Sequence, residues 1–286
     1  MAVAVEPLAG KTFGAEVHGV DLRDLDEDSR KAIEDAFHTH GVLIFHEQEL
    51  SQDEHVAFAR NFGEIERQTD ETMSADLIGK PIVLNISNVD ENGELITDRN
   101  HPQVRYLGGN EGWHSDSSFK PVTAKASVLY CIEAPEEGGA TGYADMRAAW
   151  DELPEEEKRR LEGMTAYHSL MYSQAAAGAV DTEPDEVPSR MKGAWHPVVR
   201  THPATGRKSL FIGRHACQIK ELPVAEGQRL LKRLTVEACQ GPRVYYHQWR
   251  PGDVVLWDNR CTLHRATSWD LGQRRVLRHV RVAGDS

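Results

Sequence analysis

Two histidines and one aspartate in this sequence could share a metal ion. The first pair is His114 and Asp116, in Trp113-His114-Ser115-Asp116. On an extended strand the side-chain period is two, so residues two apart point the same way and can bind one ion. Alone the pair is a weak signal. With 14 histidines and 45 acidic residues in 286, about one such His-x-Asp arises by chance. The bland reading is a surface His and Asp in a loop.

Further residues strengthen it. Thr141 lies 25 positions past Asp116 (141 − 116), after Gly138-Gly139, where a backbone turn could present its hydroxyl. His264 stands far downstream, within Trp257-Asp258-Asn259-Arg260-Cys261-Thr262-Leu263-His264-Arg265. Arg275 follows 11 positions later (275 − 264), on the last predicted strand. Two His and one carboxylate on one face of a metal leave three positions open, which is the ligand set of non-haem iron(II) oxygenases. The same three ligands would also suit a zinc ion activating water for hydrolysis. A third possibility is a non-catalytic jelly-roll binding module. An arginine near the metal favours the first reading, because its planar fork grips the distant carboxylate of a keto acid.

With these residues in place, the chain resembles the taurine and 2,4-dichlorophenoxyacetate branch of the 2-oxoglutarate-dependent dioxygenases. The resemblance is carried by SQDEHVAFARNFG, WHSDSSF, DMRAAWDELP, VRTHPATGRKSLFIGRHA, LPVAEGQRLL and WDNRCTLHR, and runs from about Leu8 to Ala283. It implies a double-stranded β-helix, a jelly-roll, cupin-like core that is mainly β with flanking helices. It implies iron(II) held by His114, Asp116 and His264, and 2-oxoglutarate held by Arg275 and Thr141. O₂ would be the oxidant, ascorbate an activator in vitro, and succinate and CO₂ products. In the herbicide-degrading relatives the hydroxylated carbon carries an ether oxygen, so an aryloxyalkanoate collapses to a phenol and glyoxylate. Sulfonates such as taurine, or alkyl sulfates, are the rival substrates. The family also suggests a homo-oligomer.

One position departs from the pattern. In this branch an arginine often stands fifteen positions after the distal histidine and helps bind an acidic substrate. Here that position is His279. On a strand Arg281 shares the face of Arg275, whereas Arg278 points the other way. The candidates for the substrate are therefore His279, Arg281, Ser117 and Asn88. Arg250, Arg260, Arg265, Arg274, Arg275, Arg278 and Arg281 form a dense C-terminal cluster, of which about half are expected to serve only ion pairs and solvated edges. Upstream, Gln68–Asp76 is acidic and offers no lysine before Lys80. Phe119, Met171 and Tyr172 could line an apolar pocket. His196, His202 and His215 read as structural first, as does Trp113.

The elements that must hold these residues follow from periodicity. Asp26–His40 has Ala32, Ile33, Ala36 and Phe37 on one helical face. Ser51 and Glu54 form a capping box for a second helix. Pro81–Thr97 reads as strand, turn and strand around Asp90–Gly93. Ala126–Ile132, Val244–Trp249, Val254–Trp257 and Arg275–Val282 read as strands. Asp145 caps a helix, and Pro154 and Pro223 open two more. Gln174–Gly193 lacks large apolar residues and reads as a long surface loop, so a lid or insert is expected around residues 168–196 of one domain spanning 1–286. Strands on both sides of a helical insert suggest an antiparallel double sheet with helices packed outside.

Composition narrows the function classes. Asp plus Glu is 45 and Lys plus Arg 33, a net charge of −12, which argues against a nucleic-acid or anionic-membrane binder. The four cysteines form no C-x-x-C pair. No signal peptide and no membrane span is read, so a small anionic molecule is the expected partner and the cytoplasm the expected compartment.

Overall fold

A computed structural model describes residues 3–67 and 83–284. The acidic stretch Gln68–Asp76, Lys80 and the start of the predicted Pro81 strand lie outside the described residues. The predicted double sheet is present. A seven-stranded sheet runs in the order Ala4–Pro7, Ala15–His18, Val42–Phe45, Val254–Asp258, Ala124–Glu133, Val276–Ala283, Val83–Ser87. All its pairs are antiparallel except Ala15–His18 with Val42–Phe45. A three-stranded sheet places Thr141–Asp145 between Val244–His247 and Thr262–Ala266.

The period of two sorts the side chains of the large sheet. Leu43, Phe45, Val254, Leu256, Ala126, Val128, Val280 and Val282 face a core shared with Ile33, Phe37 and Phe58 of the helices Glu27–His40 and Gln52–Arg60. Val42, Ile44, Leu129, Cys131, Val255, Trp257 and Leu277 face the other way, into a core shared with Tyr143 and Trp249 of the small-sheet side. Burying Phe37 and Phe58 in full stabilises the first layer by roughly 1.5–3 kcal/mol each. The outer face of the small sheet, through Ala144 and Leu263, packs on Leu230, Leu231 and Leu234 of the helix Val224–Ala238.

The capping signals are realised. The Asp26 side chain accepts from Ser29 N, and Gly41 closes that helix at φ 73. Ser51 and Glu54 make the reciprocal box. Pro154 and Pro223 sit at the N-cap, one position ahead of the first turn.

Several expectations need correction. The second strand after the Asp90 turn is reduced to a single bridge, Val89 with Leu95, because Asp90 Oδ1 draws the backbone N–H groups of Asn92 and Glu94 into the turn. The region 168–196 is not one loop. It begins at the end of the strand Thr165–His168, continues as the helix Leu170–Ala176, and ends inside the strand Ala194–Pro197, which pairs with Thr165–His168. Ser169 caps that helix by accepting from Tyr172 N, whereas residues 177–193 are irregular, as expected, apart from the single turn Pro188–Arg190. Gln174, read as a loop residue, is buried.

Candidate metal and co-substrate site

The His-x-Asp pair is presented by a bridge and a turn, not by a strand. His114 makes an isolated antiparallel bridge with His264, N–H to O in both directions at 2.9 and 2.8 Å. The chain then turns at Ser117, whose φ of 51 is rare for a non-glycine residue. This bends Asp116 back toward the two histidines. Donor atoms of His114, Asp116 and His264 all lie within 4.8 Å of one another, and all three residues are buried. The two imidazole centroids are 4.2 Å apart, and Asp116 Oδ2 lies 3.7 Å from His264 Nε2.

The protonation states suit a cation. His114 Nδ1 is 2.8 Å from Gly112 O. A carbonyl can only accept, so Nδ1 carries the proton and Nε2 keeps its lone pair. Burial pushes His114 down to about 4 and His264 down to about 3, so both rings are neutral at neutral pH. Burial opposes the charge on Asp116, but the facing His279 and the Arg281 guanidinium hold its carboxyl well below the usual range. Two neutral imidazoles and one ionised carboxylate in a buried cluster fit a divalent metal.

Sequence reasoning assigned no role to the residues that hold Asp116. Ser127 Oγ donates to Asp116 Oδ2 at 2.7 Å and accepts from Asn259 Nδ2 at 2.8 Å. Asn259 Oδ1 in turn accepts from Asp116 N at 3.1 Å and Trp257 Nε1 at 3.0 Å. Asn259 O accepts from Ser115 Oγ. The only available signal was the position of Asn259 in the stretch leading to His264.

Arg275 enters the same cavity, from just before the last strand. It is buried, its Nε donates to Gly139 O at 2.9 Å, and its guanidinium lies over Trp269. No carboxylate pairs with it among the described residues. Burial lowers it to about 10, which still leaves it charged. Gly139 must be glycine: its φ is 62, and a Cβ there would meet Arg275 Cδ at 2.9 Å. Thr141 lines the cavity, and its Oγ1 accepts from Trp249 Nε1 at 2.9 Å, which frees its own proton to donate. An unpaired buried guanidinium beside a free hydroxyl fits the carboxylate of a keto acid.

The substrate candidates separate. His279, Arg281 and Ser117 line the cavity. His279 stacks on Trp257, with Nε2 3.4 Å from Asp116 Oδ2. Asn88 does not reach the cavity wall. Its Oδ1 accepts from Arg275 N, and its Nδ2 donates to Leu271 O and Gln273 O, so it braces the backbone that delivers Arg275. Phe119 and His215 line the cavity, with Leu170 in place of the expected Met171 and Tyr172. Met171 is exposed, and Tyr172 accepts from Gln228. His196 and His202 are spent on Lys120 O and Asp258. In the C-terminal cluster, Arg260 pairs with Asp258, Arg274 with Glu133, and Arg278 lies over Tyr130.

Known proteins carry the same arrangement of sequence and fold. The family described as "Taurine catabolism dioxygenase TauD, TfdA family" matches residues 4–282. The chain is 46% identical to an (S)-phenoxypropionate/alpha-ketoglutarate-dioxygenase of Sphingobium herbicidovorans, over 96% of this chain and 93% of that one. It is 40% identical to the alpha-ketoglutarate-dependent 2,4-dichlorophenoxyacetate dioxygenase of Cupriavidus pinatubonensis, over 100% and 99%. Among solved structures, AAD-2 in complex with Mn(II) and N-oxalylglycine superposes with a TM-score of 0.88 at 37% identity, covering 100% of this chain and 98% of that one. The chain belongs to the TauD/TfdA family of dioxygenases.

Proposed function

We propose that this protein is an iron(II)- and 2-oxoglutarate-dependent dioxygenase that hydroxylates an aryloxyalkanoate next to its ether oxygen, releasing a phenol. The single observation that carries the reading is one cavity lined by both the buried His114–Asp116–His264 cluster and the Arg275 guanidinium, which has no acidic partner among the described residues. Relatives named for phenoxypropionate and 2,4-dichlorophenoxyacetate favour this substrate class over sulfonates.

In this reading His114, Asp116 and His264 hold iron(II). Arg275 and Thr141 hold the far carboxylate of 2-oxoglutarate. Bound there, the metal and the keto acid supply the activation of O₂ and the two further electrons its reduction needs. The protein's own part is placement. Asn259 and Ser127 fix the Asp116 carboxylate. Leu84, Ile86, Leu129 and Phe119 give an aromatic ring an apolar wall. Arg281 offers donors to the substrate acid, with Ser117 beside it holding the guanidinium in place, while His279, turned to Asp116, serves the metal end. Hydroxylation at the ether carbon gives a hemiacetal, which loses the phenol and leaves an aldehyde or keto acid.

The reading includes one domain with a lid around residues 168–196. Its support is that Leu170 lines the cavity, Arg214 Nη2 donates to Ser173 O and Gln174 Oε1, and Arg105 pairs with Asp181. Slower proteolysis between Ala177 and Val187 on loading metal, 2-oxoglutarate and substrate is expected; an unchanged rate contradicts the lid. A homo-oligomer, a cytoplasmic location and activation by ascorbate complete the reading, the first testable by light scattering.

The deciding experiment is stoichiometry. Phenoxyacetate should yield equal amounts of phenol and succinate with iron(II). Product formation restored by zinc without 2-oxoglutarate would contradict the reading and favour a hydrolase.

A further inference from the structure

Glu66 is a buried glutamate with no part in the metal or 2-oxoglutarate ends of the cavity. Its backbone is tied to the last strand, with Glu66 N donating to Arg281 O at 2.8 Å. Its carboxylate engages three side chains. Oε1 accepts from Lys120 Nζ at 2.5 Å, and Oε2 accepts from Ser117 Oγ at 2.9 Å. Oε2 also lies 3.0 Å from Arg281 Nε. Arg281 Nη1 donates to the same Ser117 Oγ at 3.1 Å, while Arg281 Nε, though near Oε2, is buried without an aligned hydrogen bond among the described residues. Arg281 and Ser117 form cavity wall; Glu66 and Lys120 stand behind them.

The charges do not cancel. A buried carboxylate is tolerated when it is paired. This one is paired twice, so two cations surround one anion and a single positive charge is left over. The groups that line the opposite end balance: iron(II) and doubly charged 2-oxoglutarate, once in place, sum to zero with Asp116 and Arg275, and Arg214 stands behind His114 and His215 outside the lining. The uncompensated charge therefore belongs to the substrate end, where Arg281 lines the cavity.

We propose that Glu66 sets the charge of the substrate end of the cavity at one, and so matches it to a monocarboxylate. The proposal rests on the reading above that the substrate is a small acid. Removing the carboxylate leaves two cations facing one anion. Removing Lys120 leaves a neutral group that gains nothing from an acid over its amide. Glu66 thus acts through Arg281 and Ser117 as a positioning and specificity-determining residue.

A double-mutant cycle separates charge from architecture. Binding of phenoxyacetate and of neutral phenoxyacetamide is measured by calorimetry, on anaerobic protein loaded with iron(II) and 2-oxoglutarate. The preference for acid over amide should fall about tenfold in Lys120→Met and rise by about the same factor in Glu66→Gln, as a partly screened charge within the same pocket would cause. The double variant, with the original net charge, should return to within about threefold of the parent. An unchanged preference in all four proteins overturns the proposal. So does a loss in Glu66→Gln that the double variant does not recover, since Glu66 would then only prop Arg281. Should Glu66→Gln fail to fold, Lys120→Met decides alone, and an unchanged preference there refutes the charge rule. Because binding is read without turnover, the two readings fail separately. An intact cycle without succinate release keeps the charge rule and overturns the proposed reaction; succinate release with a flat cycle does the reverse.

Discussion

His114 and His264 exchange both backbone hydrogen bonds, at 2.9 and 2.8 Å, and this one bridge brings two distant stretches of chain together at the buried His–Asp–His cluster. The bridge is made by main-chain atoms, so it survives side-chain replacement. His114→Ala, Asp116→Ala or His264→Ala should therefore abolish turnover, with metal binding lost and the far-ultraviolet circular dichroism of the parent retained. A variant that still binds iron(II) with parental affinity would remove its residue from the ligand set.

Asn259 is the hub behind Asp116, and its loss should act through the metal. Asn259→Ala strands the Asp116 N–H and frees Ser127. Metal affinity should fall by about 10–100-fold, the usual range for partners that orient ligands. Equilibrium dialysis with iron(II) or manganese(II) checks this, and an unchanged affinity would make Asn259 purely structural.

Arg275→Ala should raise the KM for 2-oxoglutarate by about 10–150-fold, since charge-assisted hydrogen bonds contribute about 1.5–3 kcal/mol each. Thr141→Val, which removes one neutral donor, should cost about tenfold or less. If Arg275→Ala leaves that KM unchanged, the cavity does not hold the keto acid there.

Stability should fall with acid through the buried histidines. Burial, with Arg278 beside it, pushes His55 down to about 3, against an ordinary value of about 6.5. The charged form is disfavoured in the folded protein, so the unfolded chain binds more protons below about pH 6.5. The contribution is complete above that pH and is lost progressively as pH falls toward 3, by at most about 1.4 kcal/mol per pH unit for one histidine. Urea midpoints measured at pH 7, 6 and 5 should decline, and His55→Leu should flatten the decline. The same slope in His55→Leu would show that His55 does not titrate on unfolding.

What could be read from the sequence was what recurs at short range or in residue type. Strand parity put Arg281 on the cavity side with Arg275 and turned Arg278 away. The capping box at Ser51 and the cap at Asp145 are local hydrogen bonds and were equally visible. Glu66 and Asn259 were not, because their meaning lies in partners 51, 54 and 215 (281 − 66) positions away for the first and 132 to 144 for the second. Asn88 looked like a pocket residue near a turn. Its three hydrogen bonds instead serve the backbone around Leu271, Gln273 and Arg275, a tertiary contact that no spacing rule reveals.

The most direct test of the central claim is substrate-dependent succinate release across one panel: phenoxyacetate, both enantiomers of 2-phenoxypropionate, taurine and an alkyl sulfate. The protein is supplied with iron(II), 2-oxoglutarate and O₂. The account predicts rapid succinate with at least one aryloxyalkanoate, matched by free phenol, and only slow background release with taurine and the sulfate ester. Rapid release with taurine or the sulfate, and background release with every aryloxyalkanoate, would contradict it.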